Sequence, residues 1–257
     1  MGKIVTVHSY KGGTGKTSIS VNLAATFVKQ GKKVAIFDLD FRAPSLFAIL
    51  KCEKAAMWLN DYLNNKCDID KVLINLSDRI PNAGKFYAGP ANPTTAAMRD
   101  MNIKDAKWEM RALGRLLALR EKLIEEQKFD YIIFDTSPGL QYPSMNAILV
   151  ADFVIVTTTC DCSDVNGTKR MISEFYKMFE TKTGIVLNKV IDPPDDITKL
   201  ERQIKEEYKV PLLGIIRCDC KVVNAKGKYI FPQDKPDYGI THELAAIAAK
   251  IEKNEIT

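Results

Sequence analysis

Short apolar runs alternate along this chain with longer stretches of helical period. The runs Lys3–His8, Lys33–Asp38, Lys85–Ala88, Tyr131–Asp135, Phe153–Thr158, Gly184–Asn188 and Leu212–Ile216 are mostly unbroken blocks of Val, Ile, Leu and Phe. Unbroken blocks, rather than strict alternation, mark strands buried on both faces. Between them, Lys16–Gln30, Ala55–Asn65, Ala106–Gln127, Ser163–Glu180, Ile197–Tyr208 and Thr241–Lys253 predict helices. This order implies right-handed crossovers and a mostly parallel twisted sheet with helices on both faces, the α/β class. No linker, repeat or low-complexity tract interrupts it, so residues 1–257 are expected to form one domain.

Two helices carry more than a fold signal. In Ala106–Gln127, Met110, Leu113, Leu117 and Ile124 are expected to face the core. Lys104, Lys107, Arg111 and Arg115 share another face, either a surface for DNA or anionic lipid or a solvated face diluted by Glu109 and Glu121. In the last helix Leu244, Ile247 and Ile251 form a modest stripe among nearly balanced charges, without Trp or Phe. An interfacial helix shows a strongly basic face with bulky apolar residues, so packing onto the sheet is expected and direct membrane insertion is not.

Composition narrows the class. With 257 residues and 46% hydrophobic content the chain can bury a large core without staples. Lys and Arg total 37 against 32 Asp and Glu, a net charge of +5 that permits an anionic partner without requiring one. The long apolar stretch AILVADFVIV is broken by Asp152, and no run approaches the ~20 residues of a membrane span. The N-terminus enters a strand pattern directly, so a cytoplasmic protein is expected. The six cysteines should then be reduced thiols.

The decisive chemistry follows the first strand. Lys11-Gly12-Gly13-Thr14-Gly15-Lys16-Thr17 lies between a strand ending near His8 and an amphipathic helix carrying Ile19, Leu23 and Phe27. This is the setting of the phosphate loop G-x-x-x-x-G-K-[ST], with Lys11 in the place of its first glycine. Gly12, Gly13 and Gly15 let the backbone wrap closely and turn its N–H groups toward phosphate oxygens. The following helix aims its positive end at the same anion. Lys16 should neutralise the β- and γ-phosphates, and the Thr17 hydroxyl should ligate Mg²⁺.

With these residues in place, the segment KGGTGKT resembles the deviant Walker A box, KGGxGK[ST], of the ParA/MinD family of P-loop ATPases. That family also contains the nitrogenase iron protein and the Mrp/ApbC iron–sulfur carriers. The likeness runs over nearly the whole chain. FDLD (Phe37–Asp40) resembles the family's second-strand box, and FDYIIFDTSPGL (Phe129–Leu140) its Walker B strand and switch. VLNKV (Val186–Val190) is similar to the base-recognition strand end. The resemblance implies ATP and Mg²⁺ as cofactors, with Lys11, Gly12, Gly13, Thr14, Gly15, Lys16, Thr17 and Ser18 around the phosphates. It implies that Lys11 reaches the partner's phosphates across an ATP-dependent homodimer, and that Asp40 orients the attacking water. Asp135 would hold Mg²⁺ through water, and Asn188 would bond adenine. As bare residues, Lys11 could be a surface lysine, Asp40 a turn acid and Asn188 a turn former.

The chain also departs from the family. Arg217 stands where many relatives have a proline against the base, and its flat guanidinium can stack on a purine. Cys160-Asp161-Cys162 replaces a common Pro-Glu element, and Cys218-Asp219-Cys220 repeats the tripeptide. Both follow strands and so share the sheet edge of the phosphate loop. Their four thiols could hold zinc or an iron–sulfur cluster, within one chain or across a dimer, or be small inert core cysteines. His8 is expected to be a hydrogen-bonded core residue and His242 to be exposed.

The resemblance therefore implies a slow, Mg²⁺-dependent ATPase whose dimerisation switch positions or partitions DNA or a large assembly, with an activating partner protein. Nonspecific DNA binding would use Lys199, Arg202 and Lys205 on one helix, or Lys221, Lys226 and Lys228 in a loop. The competing expectation is a metal or cluster carrier of the Mrp/ApbC type working through the two cysteine pairs.

Overall fold

A computed structural model describes residues 2–52, 55–176, 181–191, 197–225 and 227–253. Its strands are β1 (Lys3–His8), β2 (Lys33–Leu39), β3 (Ile74–Asn75), β4 (Lys85–Gly89), β5 (Tyr131–Thr136), β6 (Phe153–Thr158), β7 (Lys182–Val190) and β8 (Leu212–Arg217). They form one sheet in the order β3-β4-β2-β5-β1-β6-β7-β8. All neighbours run parallel except β3 against β4. The mostly parallel sheet expected from the apolar blocks is therefore present. β3 was not predicted, because two residues carry no period.

The helices are α1 (Lys16–Lys29), α2 (Leu46–Ile49), α3 (Leu59–Leu63), α4 (Thr95–Asn102), α5 (Ala106–Arg120), α6 (Tyr142–Val150), α7 (Cys162–Arg170), α8 (Ile197–Tyr208), α9 (Cys220–Asn224), α10 (Phe231–Asp234) and α11 (Gly239–Glu252). Side-chain alternation along the strands decides which helix covers which face. Val5 and Val7 of β1, Val34 and Ile36 of β2, and Ile133 of β5 pack with α1 and α11. Ile4, Ala35, Phe37, Ile132 and Phe134 point the other way, toward α3, α5 and α6. On that second side Val154, Val156, Ile185 and Leu187 meet α8 and the continuation of α7. Leu244, Ile247 and Ile251 of α11 are buried as expected. Among the described residues no helix is long and apolar enough to cross a membrane.

Three expectations need correction. The helix expected over Ala55–Asn65 contracts to α3, because Trp58 is extended and its N–H is taken by the Asp61 carboxylate at 3.1 Å. The helices expected to reach Gln127 and Glu180 change pitch into wide π-type turns at Glu121–Glu126 and Met171–Phe175, and 177–180 lie outside the described residues. Half of the stripe assigned to the core of the helix expected over Ala106–Gln127 faces the other way: Met110 is 75% exposed and Leu117 50%, whereas Ile124 is buried as expected and Leu113 packs partly against the core. Trp108, Ala112, Leu116 and Leu119 are buried instead. The rotation is fixed at the helix start, where the Asp105 carboxylate accepts the Trp108 N–H at 2.8 Å and the indole donates to Asn64 at 2.8 Å.

Two members of the expected basic face are likewise not free. Arg115 donates to the carbonyls of Tyr62 and Cys67 at 3.1 and 2.9 Å and lies over the Tyr62 ring. Lys104 pairs with Asp100 at 2.8 Å.

Candidate functional site

β1 lies between β5 and β6, where the strand order reverses, so the loops at their carboxyl ends open a crevice. The loop after β1 turns through Gly13 and Gly15, at φ +79° and +97°. Gly15 precedes α1 without a side-chain cap, which leaves the first-turn N–H groups open to an anion. A Cβ on Gly15 would also sit 2.2 Å from the Asn188 amide nitrogen.

Lys16 is almost wholly buried behind this loop, its ammonium donating to Ser9 Oγ at 3.0 Å. Burial lowers its pKa, against the opposing pull of Asp135, Asp40 and Asp164. Ser9 in turn donates to the Lys11 carbonyl at 2.6 Å, which ties the ammonium to the loop backbone.

Two carboxylates face each other across the β2–β5 register, Asp38 and Asp135, both fully buried. Asp38 is committed to structure: it accepts the N–H groups of Asp40, Ser45 and Leu46 at 3.0, 2.9 and 3.0 Å. Burial, then the neighbouring Asp135, raises its pKa. Asp135 accepts from Ser20 Oγ at 2.9 Å through Oδ1 and interacts with the Thr17 hydroxyl, while Oδ2 has no hydrogen-bond partner. Burial raises its pKa too, although those hydroxyls and Lys16 pull the other way. An orphaned buried carboxylate oxygen beside the Thr17 hydroxyl is the donor set a Mg²⁺ ion takes.

Asp40 lies at the end of β2, where its Oδ1 accepts from Ser137 Oγ at 3.0 Å and from the N–H of Ala43 at 3.1 Å. Ser137 follows β5, so one bond joins the two loops that flank the crevice. Asn188 closes the opposite side: its amide donates to the Thr14 carbonyl at 2.7 Å and its Oδ1 accepts the Lys189 N–H at 2.9 Å. Lys189, at φ +59°, donates to the Gly13 carbonyl at 2.6 Å. Ser9, Ser137 and Lys189 received no role from the sequence, although Asn188-Lys189 and Ser137 lie inside the quoted motifs. Beyond Asn188 lies a pocket of about 310 Å³ lined by Gly15, Ser18, Ile216, Arg217, Asp219 and Tyr229.

Lys11 points away from that pocket. Its ammonium pairs with Asp161 Oδ1 at 2.9 Å and also donates to Ser163 Oγ. Asp161 raises the Lys11 pKa, and its own is held well below the carboxylate range by Lys11, Ser163 and the Asp164 N–H. His8 is buried and hydrogen-bonded to Thr136 at 2.8 Å, as expected; burial and Lys16 lower its pKa to about 3, so it is neutral. His242 is exposed.

Cys160, Cys162, Cys218 and Cys220 are free and exposed. They follow β6 and β8, with Cys162 and Cys220 opening α7 and α9, and β7 lies between those two strands, a gap of about 10 Å at two strand spacings. Among the described residues no group of three or more His, Cys, Asp or Glu is placed to hold a metal ion. Lys199, Arg202 and Lys205 are exposed on α8 among Glu201, Glu206 and Glu207; Lys221 and Lys228 are exposed, and Lys226 lies outside the described residues.

The strand, glycine loop, buried lysine and acid-tipped neighbouring strand define a P-loop nucleotide-binding fold. A family model described as "AAA domain" (AAA_31) matches residues 2–189. The septum site-determining protein MinD of Synechocystis sp. is 30% identical over 234 residues, covering 89% of this chain and 80% of that protein. Among solved structures, MinD of Pyrococcus horikoshii complexed with Mg-ADP superposes with a TM-score of 0.77 at 22% identity, covering 99% and 98% of the two chains. A putative plasmid partition protein of Borrelia burgdorferi bound to AMPPNP gives 0.78 at 21%, covering 99% and 100%. The chain belongs to the ParA/MinD family of P-loop ATPases.

Proposed function

We propose that this protein is a Mg²⁺-dependent ATPase switch that pairs with a second copy of itself while ATP is held and separates after slow hydrolysis. The observation that carries the reading is the loop itself, an open helix start backed by a buried Lys16 ammonium beside the unpartnered Asp135 oxygen. The backbone of Gly12 to Gly15, with Thr14 and Ser18, would bind the phosphates, and Lys16 would balance the β- and γ-charges. Thr17 and, through water, Asp135 would hold Mg²⁺, which when bound screens the phosphate oxygens. Asp40 would orient the attacking water, with Ser137 fixing its carboxylate in place. Lys11 of the partner would stabilise charge on the γ-phosphate, as an arginine finger does elsewhere.

The pocket at Arg217 would hold the base. Asn188 spends its amide on Thr14 and so would act by shaping the loop as well as by touching adenine. Relatives described as septum site-determining and plasmid partition proteins support a role in positioning DNA or a large assembly; an activating partner and a cytoplasmic setting belong to the same proposal.

The test is mass in solution with Mg-ATP and with Mg-ADP, for the parent and for Asp40→Ala. A dimer with ATP only, persistent and without phosphate release in Asp40→Ala, supports the reading. Equal masses in both nucleotides, or hydrolysis by Asp40→Ala at the parent rate, overturns it.

A further inference from the structure

Free cysteines are among the most buried residues of folded proteins, yet Cys160, Cys162, Cys218 and Cys220 are all exposed. The separation of the two Cys-Asp-Cys elements denies their thiols one shared metal ion and leaves each pair its own chemistry. In both, the aspartate is extended and caps the helix that follows. Asp161 (φ −67°, ψ 128°) accepts the N–H groups of Ser163 and Asp164, and Asp219 (φ −120°, ψ 120°) accepts that of Lys221. Two extended steps of about 3.3 Å put the flanking Cα atoms about 6.6 Å apart, inside the roughly 4.4–6.8 Å that a disulfide spans. Both pairs therefore have the reach to close, but their surroundings differ. The Cys162 sulfur accepts from Asn166 Nδ2 at 3.6 Å, whereas the Cys218 and Cys220 thiols have no hydrogen-bond partner among the described residues.

Of the two, the second pair borders the pocket beyond Asn188. Cys218 lines it, together with Val222 and Val223 from α9. The backbone of Cys218 is pinned, its N–H donating to the Val190 carbonyl at 2.8 Å at the end of β7. Cys220 is held less firmly, since it opens α9, a helix of five residues none of which is buried. Drawing the two sulfurs together therefore moves α9 rather than β8. It carries Val222 and Val223 along and takes the Cys218 thiol out of the pocket wall. We propose that Cys218 and Cys220 are a redox modification site, closing to a reversible disulfide that deforms this pocket and weakens nucleotide binding. The inference rests on the reading that the pocket holds the base. The oxidant is a small-molecule disulfide. The Cys218 thiolate attacks one of its sulfurs, forming a mixed disulfide and expelling one thiolate; the Cys220 thiolate then attacks the Cys218 sulfur and expels the second. The protein gives up two electrons and two protons, and the oxidant leaves as two thiols. By reciprocity a bound nucleotide disfavours closure by the same factor.

The test equilibrates the intact protein with glutathione and glutathione disulfide, reads the cysteines by mass after alkylation and digestion, and titrates the protein with Mg-ADP. The oxidised parent should yield a peptide holding Cys218 and Cys220 that is lighter by two hydrogens and free of glutathione. Cys220→Ser should instead keep one glutathione on Cys218, and when reduced it should bind Mg-ADP at parent affinity. Closure should lower the parent's Mg-ADP affinity by about tenfold, and dithiothreitol should restore it. Saturating Mg-ADP should reduce the bridged fraction at a fixed glutathione ratio. Cys160→Ser with Cys162→Ser should leave all of this in place. Glutathione retained on Cys218 in the parent, or bridged protein that binds Mg-ADP as tightly as reduced protein, overturns the proposal. So does an affinity loss that vanishes when Cys160 and Cys162 are replaced. Reduced parent that fails to bind Mg-ADP would overturn the ATPase reading instead, and the bridge would still stand or fall by mass.

Discussion

The Lys11 ammonium, on the loop after β1, is held 2.9 Å from the Asp161 carboxylate at the start of α7, in the same chain. In the proposed dimer this lysine would reach the other subunit's phosphates, so its cis partner would first have to give it up. Asp161→Asn keeps the bonds to the Ser163 and Asp164 N–H groups that start α7 while removing the charge. The ATP-dependent dimer should form at lower protein concentration in this variant, with an unchanged melting temperature. Sedimentation across a concentration series reads the shift. A dimer fraction identical to the parent's would show that the cis pair does not hold Lys11 back.

Two glycines of the loop make opposite predictions. At Gly15 an added methyl meets both a left-handed backbone and the Asn188 amide, whereas at Gly12 the nearest atom is Pro138 Cγ at 3.8 Å. Gly15→Ala should lower stability by about 1–3 kcal/mol and disturb nucleotide binding; Gly12→Ala should leave stability nearly unchanged. Denaturant melts of both variants, run together, check the contrast.

Lys16 is buried with Ser9 Oγ as its side-chain partner, so the fold gains little from its charge. Lys16→Ala should reduce ATP affinity by roughly 100-fold through loss of charge-assisted bonds to phosphate, with no fall in melting temperature. Calorimetric titration beside a thermal melt separates the effects. ATP binding at parent affinity would remove the loop from the phosphate site.

Glu109 offers a pH signature. Its carboxyl is buried on α5, bonded to Asn146 at 3.2 Å, and burial raises its pKa from 4.5 to about 7. The native state therefore keeps this proton over an interval in which the unfolded chain has released it. Its contribution falls as pH rises from about 4.5 to about 7 and is level above that. Glu109→Gln keeps an acceptor for Asn146 and should be more stable than the parent by about 1–2 kcal/mol at pH 8, with the advantage fading toward pH 5. A stability difference independent of pH would show that the carboxyl is solvated.

The sheet was legible because its strands are unbroken apolar blocks, and the phosphate loop because its glycines and lysines answer to one chemistry. The spacing of α5 was ambiguous: Met110, Leu113 and Leu117 repeat as regularly as Ala112, Leu116 and Leu119. Only the docking of Trp108 on Asn64 selects between the two faces. Helix α6 escaped because it is apolar on both sides and has no polar period to betray it. Ser137 and Lys189 could not be ranked, since their value lies in contacts with Asp40 and Gly13, far away in the chain. Likewise the pairing of Lys11 with Asp161 depends on two loops that only the sheet brings together.

The bonds from Asn188 to Thr14 and from Lys189 to Gly13 join positions 174 and 176 residues apart. β1, first to be synthesised, lies in the middle of the sheet, and its neighbours start only at Tyr131 and Phe153. A nascent chain thus carries its glycine loop unclamped until residue 189 has left the ribosome, and such long-range closure makes folding slow. Truncated products ending before β7 lack the loop's final shape, so the site is completed late in synthesis, when most of the sheet already exists.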